Sequence, residues 1–282
     1  MIFAAGMPGW FTEFLGIARM FSGADMVWKF CMTLVFLLMG QTPSSMSPEA
    51  WNYVTGTVYP WFTTIGVTLL NLFFMAGFIR QSTNLRENMS MEVFVEQVIK
   101  VIIANILIVS AVPLIQNFIS GAGLLSQDIL SAGYPEIFSA EVDAGAVIAY
   151  VLFGLIYIIL SALCGIIILV EVLGRFLNLF LLTAFAPVAF STLAGGRGIE
   201  NTAFAWIKSF LTSVFQIVVI ALIIRIGSLM ITGGAFGSME TSGAESWFDG
   251  FGDVLFSMIT MVFMATAVKG ADAFLKRALD LR

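Results

Sequence analysis

The chain contains no histidine. That excludes imidazole metal ligands, histidine general bases and histidine pH switches. Its two cysteines, Cys31 and Cys164, stand far apart in apolar runs, so neither a disulfide framework nor a CxxC metal spacing exists. Both read as packing residues. Charge is scarce as well. Charged residues are 11% of the 282, against roughly 25% in a soluble domain. Enzyme signatures are missing: there is no GxSxG, HExxH, Walker A or intramembrane Asp pair. Gly195-Gly196-Arg197-Gly198 is glycine-rich, but it follows no strand and lacks the Lys-Ser/Thr of a phosphate loop. A protein without catalytic, cofactor-binding or metal-binding residues is expected.

What is present is apolar surface. Hydrophobic residues make up 59% of the chain and mean hydropathy is +0.98. No connecting segment is long enough for an independent core of its own. The expectation is therefore an all-α, polytopic helix bundle forming one membrane domain over residues 1–282. Met1–Gly9 lacks a basic n-region, so no cleavable signal peptide is expected.

About 20 apolar residues cross the ~30 Å hydrocarbon core. Five segments of a 53–268 transmembrane core meet this clearly: Tyr53–Ile79, Val93–Ile119, Ala146–Leu173, Ala203–Ile231 and Phe251–Val268. Met26–Gly40 is a shorter apolar segment carrying Lys29, which gives five to six spans. Within residues 1–25, Trp10, Phe11, Phe14, Leu15, Ala18 and Phe21 recur at helical spacing, with Glu13 and Arg19 between them. This predicts an amphipathic N-terminal helix, lying in the interface or packed on the bundle.

Orientation follows from Lys and Arg. The stretches 41–52, 120–145 and 232–250 have none, and the last two are acidic. Arg80 and Arg86 mark the opposite side, as do Lys269, Lys276, Arg277 and Arg282 in the basic tail 269–282. The C-terminus is thus expected in the cytoplasm. Arg175 and Arg197 flank Phe176–Ala194, an apolar segment containing Pro187. With both arginines taken as cytoplasmic, this segment enters the membrane and returns, a re-entrant or half-inserted helix.

Two i,i+4 acid-to-base pairs, Glu96 with Lys100 and Glu171 with Arg175, are expected to neutralise one another at the cytoplasmic mouth. Arg225 stands alone in IVVIALIIRIGSL, either snorkelling outward or pairing with Asp253 on the next helix. Gln216 belongs to a set of amides (Asn71, Asn105, Gln116, Asn117, Asn178) suited to interhelical hydrogen bonding. Ala184, Ala186, Ala189, Ser191 and Ala194 allow close packing.

The stretch AFAPVAFSTLAGG, its basic turn, the Ala-Trp-Ile-Lys start of the next helix and the Gln216 helix resemble the TrbL family. These are polytopic inner-membrane subunits of type IV secretion and conjugation systems. The resemblance lies at Ala184–Ile223 and extends more weakly over about 144–282. It implies a non-enzymatic homo-oligomeric subunit of the bacterial cytoplasmic membrane, helping to pass DNA or protein substrate. Its partners would be other secretion subunits, including cytoplasmic ATPases, and membrane lipids. Arg197 and Lys208 are the candidates for docking or substrate contact, with Arg225, Asp253 and Gln216 as channel or interhelical polar groups. A secondary transporter, a small-solute channel and a purely structural scaffold are the rival readings.

Overall fold

The computed structural model describes residues 17–82, 91–131, 147–195, 198–232 and 247–279. Among them every regular element is helical. In chain order these are α1 (Ile17–Met39), α2 (Pro43–Met46), α3 (Pro48–Tyr53), a π-helical stretch Val54–Val58, and α4 (Tyr59–Ser82). They are followed by α5 (Met91–Leu130), α6 (Val147–Ser191), a 3₁₀ turn Thr192–Gly195, α7 (Asn201–Thr232) and α8 (Trp247–Ala278). Five helical segments are long and apolar enough to cross a membrane: Pro48–Ile79, Phe94–Leu130, Gly154–Gly195, Asn201–Leu229 and Ser257–Ala278. Met26–Met39 is apolar but shorter. The amphipathic stripe over 10–21 falls mostly outside the described residues.

Local chemistry fixes the irregular joint between α1 and α4. Thr42-Pro43 and Ser47-Pro48 each place a hydroxyl cap before a proline at the first helical position. Thr42 accepts from the Ser45 N–H and Ser47 from the Ala50 N–H. Further on, Tyr59 N–H bonds Val54 O five residues back, just before Pro60, which has no N–H to give. The π-helical stretch thus leads the chain into α4 without a break. Within α4, Thr63, Thr64 and Thr68 return their hydroxyls to carbonyls four residues earlier, so no hydroxyl there needs water.

The chain divides into two compact units. The first comprises Met1–Gly40, Leu125–Leu173 and Val218–Ala271. Its buried residues include Trp28, Met32, Val35, Tyr157, Ile168 and Met264. Gly165 lies directly against Cys31, and the Ser126 hydroxyl donates to Met39 O at 3.2 Å. Cys31 and Cys164 are both buried free thiols.

The second unit comprises Gln41–Leu124, Gly174–Ile217 and Asp272–Arg282. Within it α4 and the later part of α6 advance in the same direction. Trp51 meets Phe180, Phe62 meets Phe185, Gly66 faces Pro187 and Gly77 faces Ala194. The start of α5 returns past the end of α4, with Phe78 against Phe94 and the Tyr59 hydroxyl donating to Ile108 O. The first half of α7 runs opposite to α6: Phe190 contacts Trp206, and Arg175 contacts Ser213.

This geometry corrects the expected two-part division of α6. Leu173 and Phe176 belong to one uninterrupted helix of 45 residues, with Pro187 inside it. Within that helix Phe176–Ser191 runs alongside α4, and the 3₁₀ turn carries the chain on to Ala194 beside Gly77. The bond that Pro187 cannot make is tolerated because Gly66 has no side chain to keep α4 away. A Cβ there would lie 2.8 Å from Pro187 O. α8 continues into the basic tail as far as Ala278, with Lys276 and Arg277 in its last turn.

Candidate functional site

Two polar zones lie in the second unit. One surrounds the turn between α6 and α7. There the chain leaves α6 through the 3₁₀ turn and reverses at Gly198, whose φ of 102° is open to glycine but costly for other residues. Lys100 Nζ sits 3.0 Å from Glu96 Oε1 and 3.4 Å from Glu200 Oε2. The i,i+4 pair expected from sequence is therefore part of a three-residue cluster that ties α5 to the chain just before α7. Beside it the buried Gln97 amide donates to Ala194 O, capping a carbonyl that the end of α6 leaves unpaired. Sequence reasoning missed Glu200 and Gln97. Only the antiparallel return of the chain brings them to Lys100, and no local spacing signals it.

The other zone lies several turns away along the same helices. A cavity of about 290 Å³ is lined by Thr42, Ser44, Trp51, Gln116, Asn117 and Ser120. Phe118, in the same turn of α5, meets Phe210 edge-on, and Ser213 follows one turn later on α7. Arg175 reaches Ser213 O through Nε at 3.1 Å. Arg175 is only 1% exposed, and its Nη1 and Nη2 find no hydrogen-bond partner among the described residues. The i,i+4 bridge from Glu171 to Arg175 is thus not what holds this guanidinium, because it turns inward. Its Cζ lies 5.3 Å from the Phe176 ring. Thr212, Ser213 and Gln216 are buried on the adjacent stretch of α7.

Between these zones the helices are largely but not wholly apolar: Thr183 is buried there, and Asn71, Asn105 and Asn178 are exposed. Arg175 and Ala194 are separated by about 30 Å along α6 and its 3₁₀ turn, and Gln97 and Gln116 by about 29 Å along α5, at ~1.5 Å per α-helical residue.

The remaining sequence candidates are scattered. Lys208 is half-buried on α7, and its carbonyl accepts from the Thr212 hydroxyl at 2.9 Å. Arg225 is half-buried farther along α7. Arg197 and the Asp253 side chain fall outside the described residues, so the Arg225–Asp253 pairing does too. Of the amides, Gln216 is buried and Gln116 half-buried. Asn71, Asn105, Asn117 and Asn178 are exposed, Asn117 at the edge of the cavity. The five small residues of the segment are all buried. Among the described residues no group of three or more His, Cys, Asp or Glu could hold a metal ion.

The Ala205-Trp206-Ile207-Lys208 motif has a definite packing role. Trp206 lies flat on Phe210 at 5.4 Å, meets Phe190 edge-on at 4.8 Å and donates from Nε1 to Leu182 O at 3.2 Å. It thereby joins α6 to α7 just after their turn. No family model, curated protein or solved structure matches this chain.

Proposed function

We propose that the chain is a channel or scaffold subunit of a conjugative type IV secretion system. It would work as an oligomer in the bacterial cytoplasmic membrane, helping DNA or protein substrate across. The observation that carries this reading is the form taken by the TrbL-like segment. Ala184–Ile223 builds a close helix pair in which Trp206 joins α7 to Phe190 and Leu182 of α6. Exposed apolar side chains on α5 and α6 and the outward amides Asn71, Asn105 and Asn178 offer neighbouring copies both area and hydrogen bonds.

In this reading the Lys100–Glu96–Glu200 end, the Arg197 turn and the C-terminus face the cytoplasm, where secretion ATPases dock. Gly154–Gly195 then counts as one span, its later part parallel to α4, and the chain has five spans with alternating acidic and basic loops. Arg175 ceases to mark a cytoplasmic boundary, which removes the reason for a re-entrant helix.

A solute transporter is the second reading, favoured by the buried group Arg175, Ser213 and Gln216 at the middle of α7. Deleting the gene in a conjugating host separates the two. Loss of transfer, restored by complementation, supports the secretion subunit. Unchanged transfer, with solute flux by the purified chain alone in liposomes, supports the transporter.

A further inference from the structure

We propose that the cavity between the α2–α3 joint and α5 binds one sugar ring, an uncharged ligand with an apolar face and a hydroxyl edge. The walls divide in the same way. Pro43, Trp51 and Ile119 are buried and give an apolar floor with one aromatic side chain. Gln116 is half-buried and Asn117 and Ser120 are exposed, so one turn of α5 forms a polar rim. Among the described residues that line the cavity, none is charged. A charged ligand would lose its hydration there with no opposite charge to replace it. At about 290 Å³ the cavity lies at the lower end of ligand pockets, ~300–1,000 Å³, a size for one ring rather than a chain of them.

The floor is held in place by bonds of its own. Trp51 N–H donates to Ser47 O at 2.9 Å, and the Thr55 hydroxyl donates to Trp51 O at 2.9 Å. The Trp51 ring meets that of Phe180 at 6.1 Å. Thr55 belongs to the π-helical stretch Val54–Val58, and such stretches recur at functional sites. Across from it, Thr42 Oγ1 accepts from the Ser45 N–H and lies 2.9 Å from Ser44 Oγ. The rim differs. On α5 the Ser110 hydroxyl donates back to Ile106 O at 2.7 Å, as helical serines commonly do. The Gln116, Asn117 and Ser120 side chains make no hydrogen bond to another described residue, so their donors and acceptors remain available to a ligand. Amides and hydroxyls both donate and accept, which suits the hydroxyls of a sugar.

The test uses the full chain purified in an amine-oxide detergent, because glucoside and maltoside detergents carry the chemistry under test. Binding is followed by equilibrium dialysis and thermal melting with glucose, N-acetylglucosamine, glucose 6-phosphate and a monoglucosyl diacylglycerol. The expected result is saturable binding of one neutral sugar per chain, with the phosphorylated sugar at least about tenfold weaker. Binding of the glycolipid without the free sugars keeps the site and makes its source a lipid headgroup. The rim variant Gln116→Ala, Asn117→Ala should melt like wild type without sugar and bind about tenfold more weakly, because its hydrogen bonds to the ring are lost. Should that variant fold poorly, the comparison of neutral with charged sugar in the wild type still decides. Unchanged affinity in the rim variant overturns the proposal. So does equal binding of glucose 6-phosphate, or saturable binding of none of the four, which leaves the cavity to water. Conjugative transfer is not a readout of this site, so its failure leaves the secretion reading untouched.

Discussion

Gly66 stands against the backbone carbonyl of Pro187, so close that a Cβ at Gly66 would lie 2.8 Å from that oxygen. The contact lies where α6 lacks a hydrogen bond, and it joins the two helices that advance side by side. Gly66→Ala gains up to about 1 kcal/mol of helix propensity. The clash is with backbone, which cannot rotate away, and overpacking costs about 1–3 kcal/mol. Gly66→Ala should therefore lower the melting temperature in detergent, and Gly66→Leu should lower it further. Gly121→Ala on α5, where a Cβ meets nothing within 4 Å, should leave it unchanged or raise it.

Trp206 offers a second test of the α6–α7 pair. Trp206→Phe keeps a ring on Phe210 but leaves Leu182 O without the indole, at a cost of about 1 kcal/mol. Trp206→Ala also removes the stack and should cost about 3–5 kcal/mol. Melting curves of the two variants should fall in that order. Equal melting of wild type and Trp206→Ala would contradict the packing role.

Much of the fold was legible in the chain because hydropathy reports length directly. The five apolar segments correspond to five apolar helices, although the helices run past their expected ends at Leu130 and Ala278. The sequence reading divided α6 because it took Arg175 for a loop residue. A charge in an apolar run looks the same whether it ends a helix or is buried within one. Only the position of Ser213, 38 residues later, decides the matter. Pro187 misled in the same way, since tolerance of a proline depends on a glycine of another helix. Glu96 with Lys100 could be read from spacing; Glu200 joined them through the fold alone.

The Glu96–Lys100–Glu200 cluster is predicted to contribute little to stability. Its side chains are 66%, 32% and 24% exposed, and pairs in such surroundings are worth about 0–1 kcal/mol. Lys100→Ala should shift melting only slightly. Lys100→Glu brings three carboxylates together and should destabilise more, with salt narrowing the difference. A large effect of Lys100→Ala that salt did not change would point to a different role.

Arg197 and Lys208 carry the docking proposal. The double variant Arg197→Ala, Lys208→Ala should insert and melt like wild type, yet reduce conjugative transfer. Transfer at the wild-type rate would remove the docking role from these two residues.

The central claim is that Phe176–Ala194 continues one span with the helix before it and does not return to the side it entered. Its most direct test is labelling of single cysteines with a membrane-impermeant maleimide, in a chain carrying Cys31→Ala and Cys164→Ala. Asn201→Cys and Gly174→Cys sit at exposed positions toward the two ends of that stretch. The account predicts that Asn201→Cys is labelled from the cytoplasm alone, and that Gly174→Cys is never labelled from that side. Cytoplasmic labelling of both would mean that the segment returns to the side it entered, and would contradict the account.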